Sequence, residues 1–189
     1  MQIALSAKNK NYVIEKAVNA LKKGGIVVYP SDTVYGMAVD ATNPMALQKL
    51  DILKKRRPEQ KYSYNFADLN MIRKFCSTTH ERYRVLKKYL PGPYTFVIAD
   101  DVSVRIPQNC IITEIVAVFG KPVTATSANI TGRSPATNIR NLDPKIYLGV
   151  ELIIEEPDFK PRKTSTVVDL REKPYQVLRH GALSFPLNK

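Results

Sequence analysis

The segment that most constrains the fold of this chain is residues 26–36, IVVYPSDTVYG, an apolar run that stops at a proline. Its first four residues are β-branched or aromatic, and Gly24 and Gly25 precede them, which is typical of a buried strand followed by a turn. The polar residues after the strand are Ser31, Asp32, Thr33 and Tyr35. Because open α/β sheets bind ligands beyond the carboxyl ends of their strands, the segment predicts either a ligand-binding loop or an ordinary side-chain-stabilised turn.

Helix and strand patterns alternate along the rest of the chain. Apolar residues at helical spacing predict helices at 11–23, 44–53, 69–75, 79–90 and 110–119. Strands are predicted at 26–29, 63–67, 94–99, 102–106, 121–125, 151–154, 165–170 and 175–178. Only Asp100 and Asp101 separate two of these strands, which predicts a tight hairpin. The sequence therefore predicts an α/β fold, a single domain over residues 1–189 with a twisted mixed sheet and flanking helices.

Composition restricts the partners of the chain. Lysine and arginine number 29 against 17 aspartate and glutamate, and the net charge of +12 predicts an anionic partner, although lysine-rich solvated helix faces also produce such a charge. The apolar runs are too short to span a membrane, and the start lacks a signal-peptide pattern, so we expect a cytoplasmic protein with no membrane partner. Cys76 and Cys110 have no metal-ligand spacing, and we expect buried free thiols at both.

Two polar segments follow predicted strands or helices and could bind an anion. The basic segment KKRRPEQK at 54–61 contains Lys55 and Arg57, which could contact phosphates or complement the helix dipole, and Pro58 restricts the backbone of Arg57. The segment TSANITG at 126–132 supplies hydroxyl and amide groups that could surround a phosphate or cap a helix. Neither segment decides between these alternatives alone.

Arg105 is the most informative single charge. It lies in the apolar strand SVRIP, where an unpaired charge is costly to bury, so we expect it to meet a carboxylate or an anionic ligand. Ser165 and Arg179 also lie at the edges of apolar runs, whereas His180 receives no role. The sequence has no Walker loop, GxGxxG, HExxH or Ser-His-Asp pattern. The residues alone therefore indicate a basic α/β domain that binds nucleotide or RNA.

Seven segments in order resemble the motifs of the YrdC-like threonylcarbamoyl-AMP synthases. They are VVYPSDTVYG, KKRRPEQK, PGPYTF, SVRIP, PVTATSANITG, STVVD and VLRHGA, within residues 12–183. The resemblance implies a YrdC-like fold around a basic cavity, in the single-domain form. It implies synthesis of threonylcarbamoyl-AMP and pyrophosphate from L-threonine, bicarbonate and ATP, with Mg²⁺ accompanying ATP. It also implies a downstream threonylcarbamoyl transferase complex that modifies tRNA.

The same resemblance assigns roles by position. Thr33, Arg105 and Ser165 would contact threonine and bicarbonate. The residues for ATP would be Lys55, Arg57, Lys61, Ser127, Asn129 and Arg179, with Lys55 and Arg57 as the catalytic pair and no protein ligand to a metal. Because carbamates decompose in water, we expect a lid formed by loops 132–138 and 155–164.

Two features depart from the family pattern and sustain alternatives. Tyr62 stands where the basic motif usually continues with proline, and Asp100-Asp101 shorten a connection that is generally longer. They favour a non-catalytic YrdC-like paralogue that binds RNA or nucleotide through its basic cavity. A third alternative is a carbamoyl-transfer module like the related domain of hydrogenase maturation factors. Catalysis that depends on both threonine and bicarbonate would separate the synthase from these alternatives.

Overall fold

The computed structural model describes residues 1–57 and 59–186. Pro58, whose predicted effect was on the backbone of Arg57, lies outside the described residues, as do the last three positions of the predicted domain. The strands are β1 (Gln2–Ala4), β2 (Val27–Tyr29), β3 (Gly36–Ala38), β4 (Ser63–Asn65), β5 (Tyr94–Ala99), β6 (Val102–Arg105), β7 (Val123–Ser127), β8 (Leu152–Glu155), β9 (Thr166–Asp169) and β10 (Gln176–Arg179). The helices are α1 (Lys10–Lys22), α2 (Pro44–Lys54), α3 (Leu69–Phe75), α4 (His80–Tyr89), α5 (Ile111–Phe119) and α6 (Pro144–Gly149).

Within the described residues the strands form one sheet in the order β1-β8-β2-β3-β7-β4-β6-β5-β9-β10. The pairs β1–β8, β2–β8, β4–β6 and β5–β9 are parallel. The pairs β2–β3, β3–β7, β4–β7, β5–β6 and β9–β10 are antiparallel. The predicted mixed α/β sheet with flanking helices is therefore confirmed, as is the tight hairpin between β5 and β6.

Helices cover both faces of the first half of the sheet. In β2, Val27 packs with α1 and α5 on one face, and Val28 packs with α2 and α6 on the other. Since successive side chains of a strand point to opposite faces, a strand buried on both sides needs the continuous apolar run found here. In the second half, α3 and α4 cover β5, β6 and β9 around a cluster that contains Phe96 and Val168.

The sequences of three elements, β1, β3 and α6, do not predict the conformation that the structure shows. The strands β1 (QIA) and β3 (GMA) have three residues each and no β-branched alternation, so their strand conformation comes from pairing with neighbours. Helix α6 has only six residues. Strand β7 begins at Val123 and runs through Ser127, so it includes the start of the predicted loop TSANITG.

The two cysteines differ from their prediction in part. Cys110 is buried and free, as predicted, but it is the N-cap of α5 rather than a helical residue. Cys76 is free and only half-buried, because α3 ends at Phe75 and Cys76 begins an extended segment. No described helix combines the length and apolar character that a membrane crossing requires.

Candidate active site

A cavity of about 240 Å³ opens where the loop after β2 meets the sheet strands β4, β5, β7 and β9. Its polar lining includes Ser31, Thr33, Arg56, Lys61, Ser63, Thr95, Arg105, Thr126, Ser127, Thr164, Ser165 and Arg179, and Tyr29 and Tyr35 also line it. Four of these side chains are cationic, and no carboxylate of the described residues lines the space. The cavity is therefore suited to a ligand with several negative charges.

The loop after β2 is both a stabilised turn and a cavity wall. Ser31 Oγ donates to the Val34 carbonyl at 2.6 Å, and the Thr33 N–H donates to Ser31 Oγ at 3.1 Å. The chain then returns as β3, in which Gly36 pairs with Tyr29. A Cβ at Gly36 would lie 2.6 Å from Tyr29 Cζ, so only glycine lets β3 pass this ring. The segment is thus a side-chain-stabilised turn that also lines the cavity, and ligand binding by it stays a prediction.

Arg105 meets a carboxylate, as its sequence context predicts. Its Nη2 forms an ion pair with Asp32 Oδ1 and lies 3.2 Å from Thr33 Oγ1. Both members of the ion pair are largely buried, with 11% and 9% of their side chains exposed. The Nε atom of Arg105 is buried and has no hydrogen-bond partner among the described residues. Since a buried unpaired donor is costly, this atom is the strongest local indication of a bound acceptor.

Ser165 and Arg179 form a second polar group in the cavity lining. Arg179 Nη2 donates to Ser165 Oγ at 3.0 Å, and its Nε and Nη2 donate to the Ser165 carbonyl at 3.1 and 3.0 Å. Thr95 Oγ1 lies 2.9 Å from Ser165 Oγ. Burial, and then the charge of Arg105, lower the pKa of Arg179. Two arginines therefore lie close enough to repel each other, and only Arg105 has a carboxylate partner among the described residues, so the space around Arg179 favours an anion.

Gly181 lets the chain after β10 lie directly on the backbone that carries Ser165. A Cβ there would lie 2.1 Å from the Thr164 carbonyl oxygen and 2.5 Å from the Thr166 nitrogen. We expect Gly181→Ala to destabilise the protein by about 1–3 kcal/mol through overpacking, which lowers Tm by about 3–10 °C in a protein of this size. Thermal unfolding followed by circular dichroism measures this change.

Gly132→Ala is the matched control. Gly132 has φ +85° but no atom within 4 Å of the added Cβ, so only the left-handed backbone penalty applies. We expect a loss of about 1 kcal/mol, or 2–4 °C in Tm. A Gly181→Ala protein that melts no lower than Gly132→Ala would contradict the close approach.

The structure places Arg56 and Lys61 of the basic cluster in the cavity lining, and it leaves Lys55 and Arg57 outside that lining. Helix α2 ends at Lys54, Lys55 takes the left-handed conformation with φ 51°, and Arg56 then enters the cavity lining. Lys55 and Arg57 are exposed and do not line the cavity. The left-handed conformation of Lys55 turns the chain after α2, and Arg56, the next residue, therefore lies in the cavity lining. Lys61 lines the cavity, in agreement with its predicted position.

Lys54 lies beside the candidate site, and the sequence analysis did not assign it a role. It is 3% exposed, and its Nζ donates to the carbonyls of Ser127 and Asn129 at 2.6 and 2.7 Å. Burial, and then the charge of Arg56, lower the pKa of Lys54 to about 7. Ala46, Leu50 and Lys54 are each four residues apart, so Lys54 lies on the apolar face of α2. This spacing could have predicted that Lys54 is buried.

The loop after β7 is held mainly by its own polar atoms. Ser127 lines the cavity, and its Oγ donates to Asn129 Oδ1 at 2.5 Å. Asn129 Nδ2 donates to the carbonyls of Ile130 and Arg133 at 3.0 and 2.6 Å, and Asn129 does not line the cavity. The structure thus places Ser127 at the site and Asn129 behind it, where its amide supports the turn.

Both proposed lid loops lie against the loop after β2. The Arg162 N–H donates to the Thr33 carbonyl at 2.7 Å, and the Phe159 ring lies 4.5 Å from the ring of Tyr35. In the other loop, the Ala136 carbonyl accepts from the Tyr35 N–H at 3.2 Å. These contacts bring both loops to the cavity, and a lid function for them stays a prediction.

The donor set does not form a dedicated metal site. Within residues 1–57 and 59–186, no group of three or more His, Cys, Asp or Glu side chains is arranged to hold a metal ion. Asp32 lies nearest the cavity but is paired with Arg105. The residues therefore fit a magnesium ion only as part of a magnesium–nucleotide substrate, whose phosphates would supply most ligands.

Comparison with known proteins identifies relatives over nearly the whole chain. The family model Sua5_yciO_yrdC, described as "Telomere recombination", matches residues 19–181. The chain is 28% identical over 196 residues to a "Putative threonylcarbamoyl-AMP synthase" of Methanocaldococcus jannaschii, covering 98% of this chain and 92% of that protein. It is 28% identical over 188 residues to the "Threonylcarbamoyl-AMP synthase" of Vibrio campbellii, covering 91% and 100%.

A solved structure agrees with these sequence relatives. The crystal structure of P. abyssi Sua5 complexed with L-threonine matches with a TM-score of 0.85 and 25% identity, over 96% of this chain. This chain spans 57% of the length of that protein. The family model covers well over half of the residues, and the motifs, the mixed sheet and the matched structure agree with it: the chain belongs to the Sua5/YciO/YrdC family.

Proposed function

We propose that this chain is a threonylcarbamoyl-AMP synthase, which forms threonylcarbamoyl-AMP and pyrophosphate from L-threonine, bicarbonate and ATP for tRNA modification. The observation that carries the proposal is the cavity with four cationic side chains and an unpaired buried Arg105 Nε. The reaction brings a carbamate and a triphosphate together, and fixed cations offset the repulsion between these anions. Relatives named threonylcarbamoyl-AMP synthase support an enzyme of this kind.

Threonine would bind at the wall formed by the loop after β2. The Arg105 Nε, which has no partner among the described residues, would offer its N–H to the amino-acid carboxylate, while Asp32 fixes the guanidinium. Thr33, whose Oγ1 lies 3.2 Å from Arg105 Nη2, would contact the same substrate. Ser165 and Arg179 would contact the amine or its carbamate. The threonine complex of P. abyssi Sua5, a related protein, supports an amino-acid substrate.

ATP would bind with its magnesium ion at the wall formed by the basic cluster. Arg56 and Lys61 would contact the phosphates, while Lys55 and Arg57 add positive charge at the exposed edge. Ser127, in the turn supported by Asn129, would contact the nucleotide. The magnesium ion neutralises charge on the phosphates, and the chain's own residues orient the two substrates in line. No covalent nucleophile is required for this transfer.

The product would pass to a threonylcarbamoyl transferase complex that acts on tRNA in the cytoplasm. Threonylcarbamoyl-AMP is a mixed anhydride that water hydrolyses, so a covered site protects it. The loops 132–138 and 155–164 are the segments of this chain proposed to cover it.

The decisive experiment is mass-spectrometric detection of threonylcarbamoyl-AMP, with pyrophosphate counted in parallel. The purified chain is mixed with ATP, magnesium, L-threonine and bicarbonate, and each component is omitted in turn. We expect product only in the complete mixture. Pyrophosphate without threonine would indicate a different nucleotide reaction and contradict the proposal, whereas RNA binding without pyrophosphate or any other product would favour the non-catalytic paralogue.

A pair of neighbouring variants tests the register of the basic cluster in the same assay. Arg56→Ala removes a cavity cation, and we expect kcat/KM for ATP to fall by about 100-fold, as for other groups that stabilise transition-state charge. Arg57→Ala is the comparison, and we expect a smaller loss of about threefold, because Arg57 lies at the exposed edge of the ATP wall, where its charge is screened. The opposite ranking would contradict the assignment of Arg56.

A further inference from the structure

Arg56 is held in place by contacts that leave part of its guanidinium free. Its guanidinium carbon lies 3.8 Å from the centroid of the Tyr62 ring. Its Nε donates to the Gln60 carbonyl at 3.2 Å, and its Nη2 donates to the Lys61 carbonyl. An arginine has five N–H donors, so two are used within this turn and about three remain for a ligand in the cavity.

Tyr62 is itself fixed to helix α2. Its side chain is buried in the cluster that contains Leu50, and its hydroxyl donates to Asp51 Oδ1 at 2.7 Å. The backbone N–H of Arg56 donates to the carbonyl of the same Asp51 at 2.9 Å. Burial, and then the hydrogen bond to Asp51, raise the pKa of Tyr62, so the hydroxyl remains a donor at physiological pH. Asp51 therefore fixes both the ring and the arginine that lies on it.

The contact with the Tyr62 ring fixes the position of the Arg56 guanidinium before a ligand binds. A free arginine side chain must give up rotamer freedom when it binds an anion, and that entropy loss weakens binding. A guanidinium held on an aromatic ring has already lost this freedom and keeps its charge. Tyr62 is not among the residues that line the cavity, but its ring contacts Arg56, which is.

We propose that Tyr62 is a positioning residue, which holds the Arg56 guanidinium at the cavity for the phosphates of ATP. The inference rests on the proposed function, since it requires ATP in this cavity. It gives a role to a residue that departs from the usual motif of the family, in which proline follows the lysine. In this chain the ring of Tyr62, anchored on Asp51, restricts the arginine.

The test compares ATP affinity and steady-state kinetics in four variants of the full chain. They are Tyr62→Leu, Tyr62→Phe, Arg56→Ala and the double variant Arg56→Ala with Tyr62→Leu. Calorimetry with magnesium–ATP gives Kd, and pyrophosphate release gives KM for ATP and for threonine. Tyr147→Leu, an exposed tyrosine on α6, is the matched control.

We expect Tyr62→Leu to raise Kd and KM for ATP about tenfold, with KM for threonine changed less than twofold. Tyr62→Phe keeps the ring but loses the bond to Asp51, and we expect an increase of about two- to threefold. In the Arg56→Ala background, Tyr62→Leu should change neither Kd nor KM, because residues that act together are not additive. Tyr147→Leu should leave all constants unchanged.

Three results would overturn the inference. The first is a folded Tyr62→Leu protein with wild-type Kd for ATP. The second is the same tenfold loss when Arg56 is already absent, which a merely structural role would produce. If Tyr62→Leu does not fold, a folded Tyr62→Met protein, which also lacks the ring, with wild-type Kd for ATP overturns it. A wild-type chain that binds magnesium–ATP without product overturns the proposed function alone, whereas one that binds no magnesium–ATP overturns both.

Discussion

Arg105→Lys is expected to lower kcat/KM for L-threonine about 100-fold with little change in stability. Lysine keeps the positive charge, so the buried Asp32 remains paired, but its single ammonium cannot bond to Asp32 and to a ligand carboxylate as a guanidinium can. Loss of a charged hydrogen bond costs about 1.5–3 kcal/mol, which corresponds to a factor of roughly 10 to 150. Pyrophosphate release at varied threonine concentrations measures the change.

The matched control for this prediction is Arg171→Lys. Arg171 also pairs with carboxylates, Asp100 and Asp169, but it lies in the segment between β9 and β10 and not in the cavity lining. We expect its kcat/KM to stay within about twofold of wild type, because exposed ion pairs contribute little. Wild-type kinetics in Arg105→Lys would show that Arg105 does not bind the substrate carboxylate.

The second large effect is a dependence of stability on pH that comes from Lys54. The unfolded chain keeps this lysine protonated up to about pH 10, whereas burial lowers its pKa to about 7 in the folded protein. Unfolding therefore takes up a proton between these values, and stability rises with pH across that window. Below about pH 7 both states are protonated, and the full cost of burying the charge is present.

Urea unfolding of wild type and Lys54→Met at pH 6, 7, 8 and 9 isolates this effect. We expect the free energy of unfolding of wild type, relative to Lys54→Met, to increase by about 2 kcal/mol between pH 7 and pH 9. Lys55→Met is the control, because Lys55 is exposed, and its difference from wild type should not vary with pH. If the difference in the free energy of unfolding between wild type and Lys54→Met does not change with pH, Lys54 is charged throughout this range.

The sequence predicted the elements whose own pattern determines them. Helices α1, α2 and α5 follow from apolar spacing and from Gly24 and Gly120, which end α1 and α5 with positive φ. Strand β3, in contrast, is a glycine, a methionine and an alanine, and only its pairing with β2 and β7 makes it a strand. Its place between them could not be predicted from its residues, because pairing depends on distant parts of the chain.

In the candidate site too, some residues could be predicted from their own sequence motifs, whereas the placement of others depends on the folded backbone. Thr33, Lys61, Arg105, Ser127, Ser165 and Arg179 were predicted from the motifs, and the structure brings all six to one cavity. The motifs predicted Lys55 and Arg57, whereas the structure places Arg56 in the cavity lining, because Lys55 takes a left-handed conformation that a run of four basic residues does not reveal. The roles of Lys55 and Arg57 stay predictions. Asn129 was also predicted as a ligand residue, but its amide bonds to the backbone of its own loop.

The position of β8 between β1 and β2 affects how the chain folds during synthesis. Gln2 pairs with Ile153, and Val27 pairs with Leu152. Strands β1 and β2 therefore cannot pair with β8 until the ribosome has added more than 120 further residues. At a synthesis rate of about 5–20 residues per second, that delay is roughly 6–25 s. During this time the apolar edge of β2 is open to other chains, and such non-local pairing is slow to form. The nascent protein is therefore expected to depend on chaperones until β8 emerges from the ribosome.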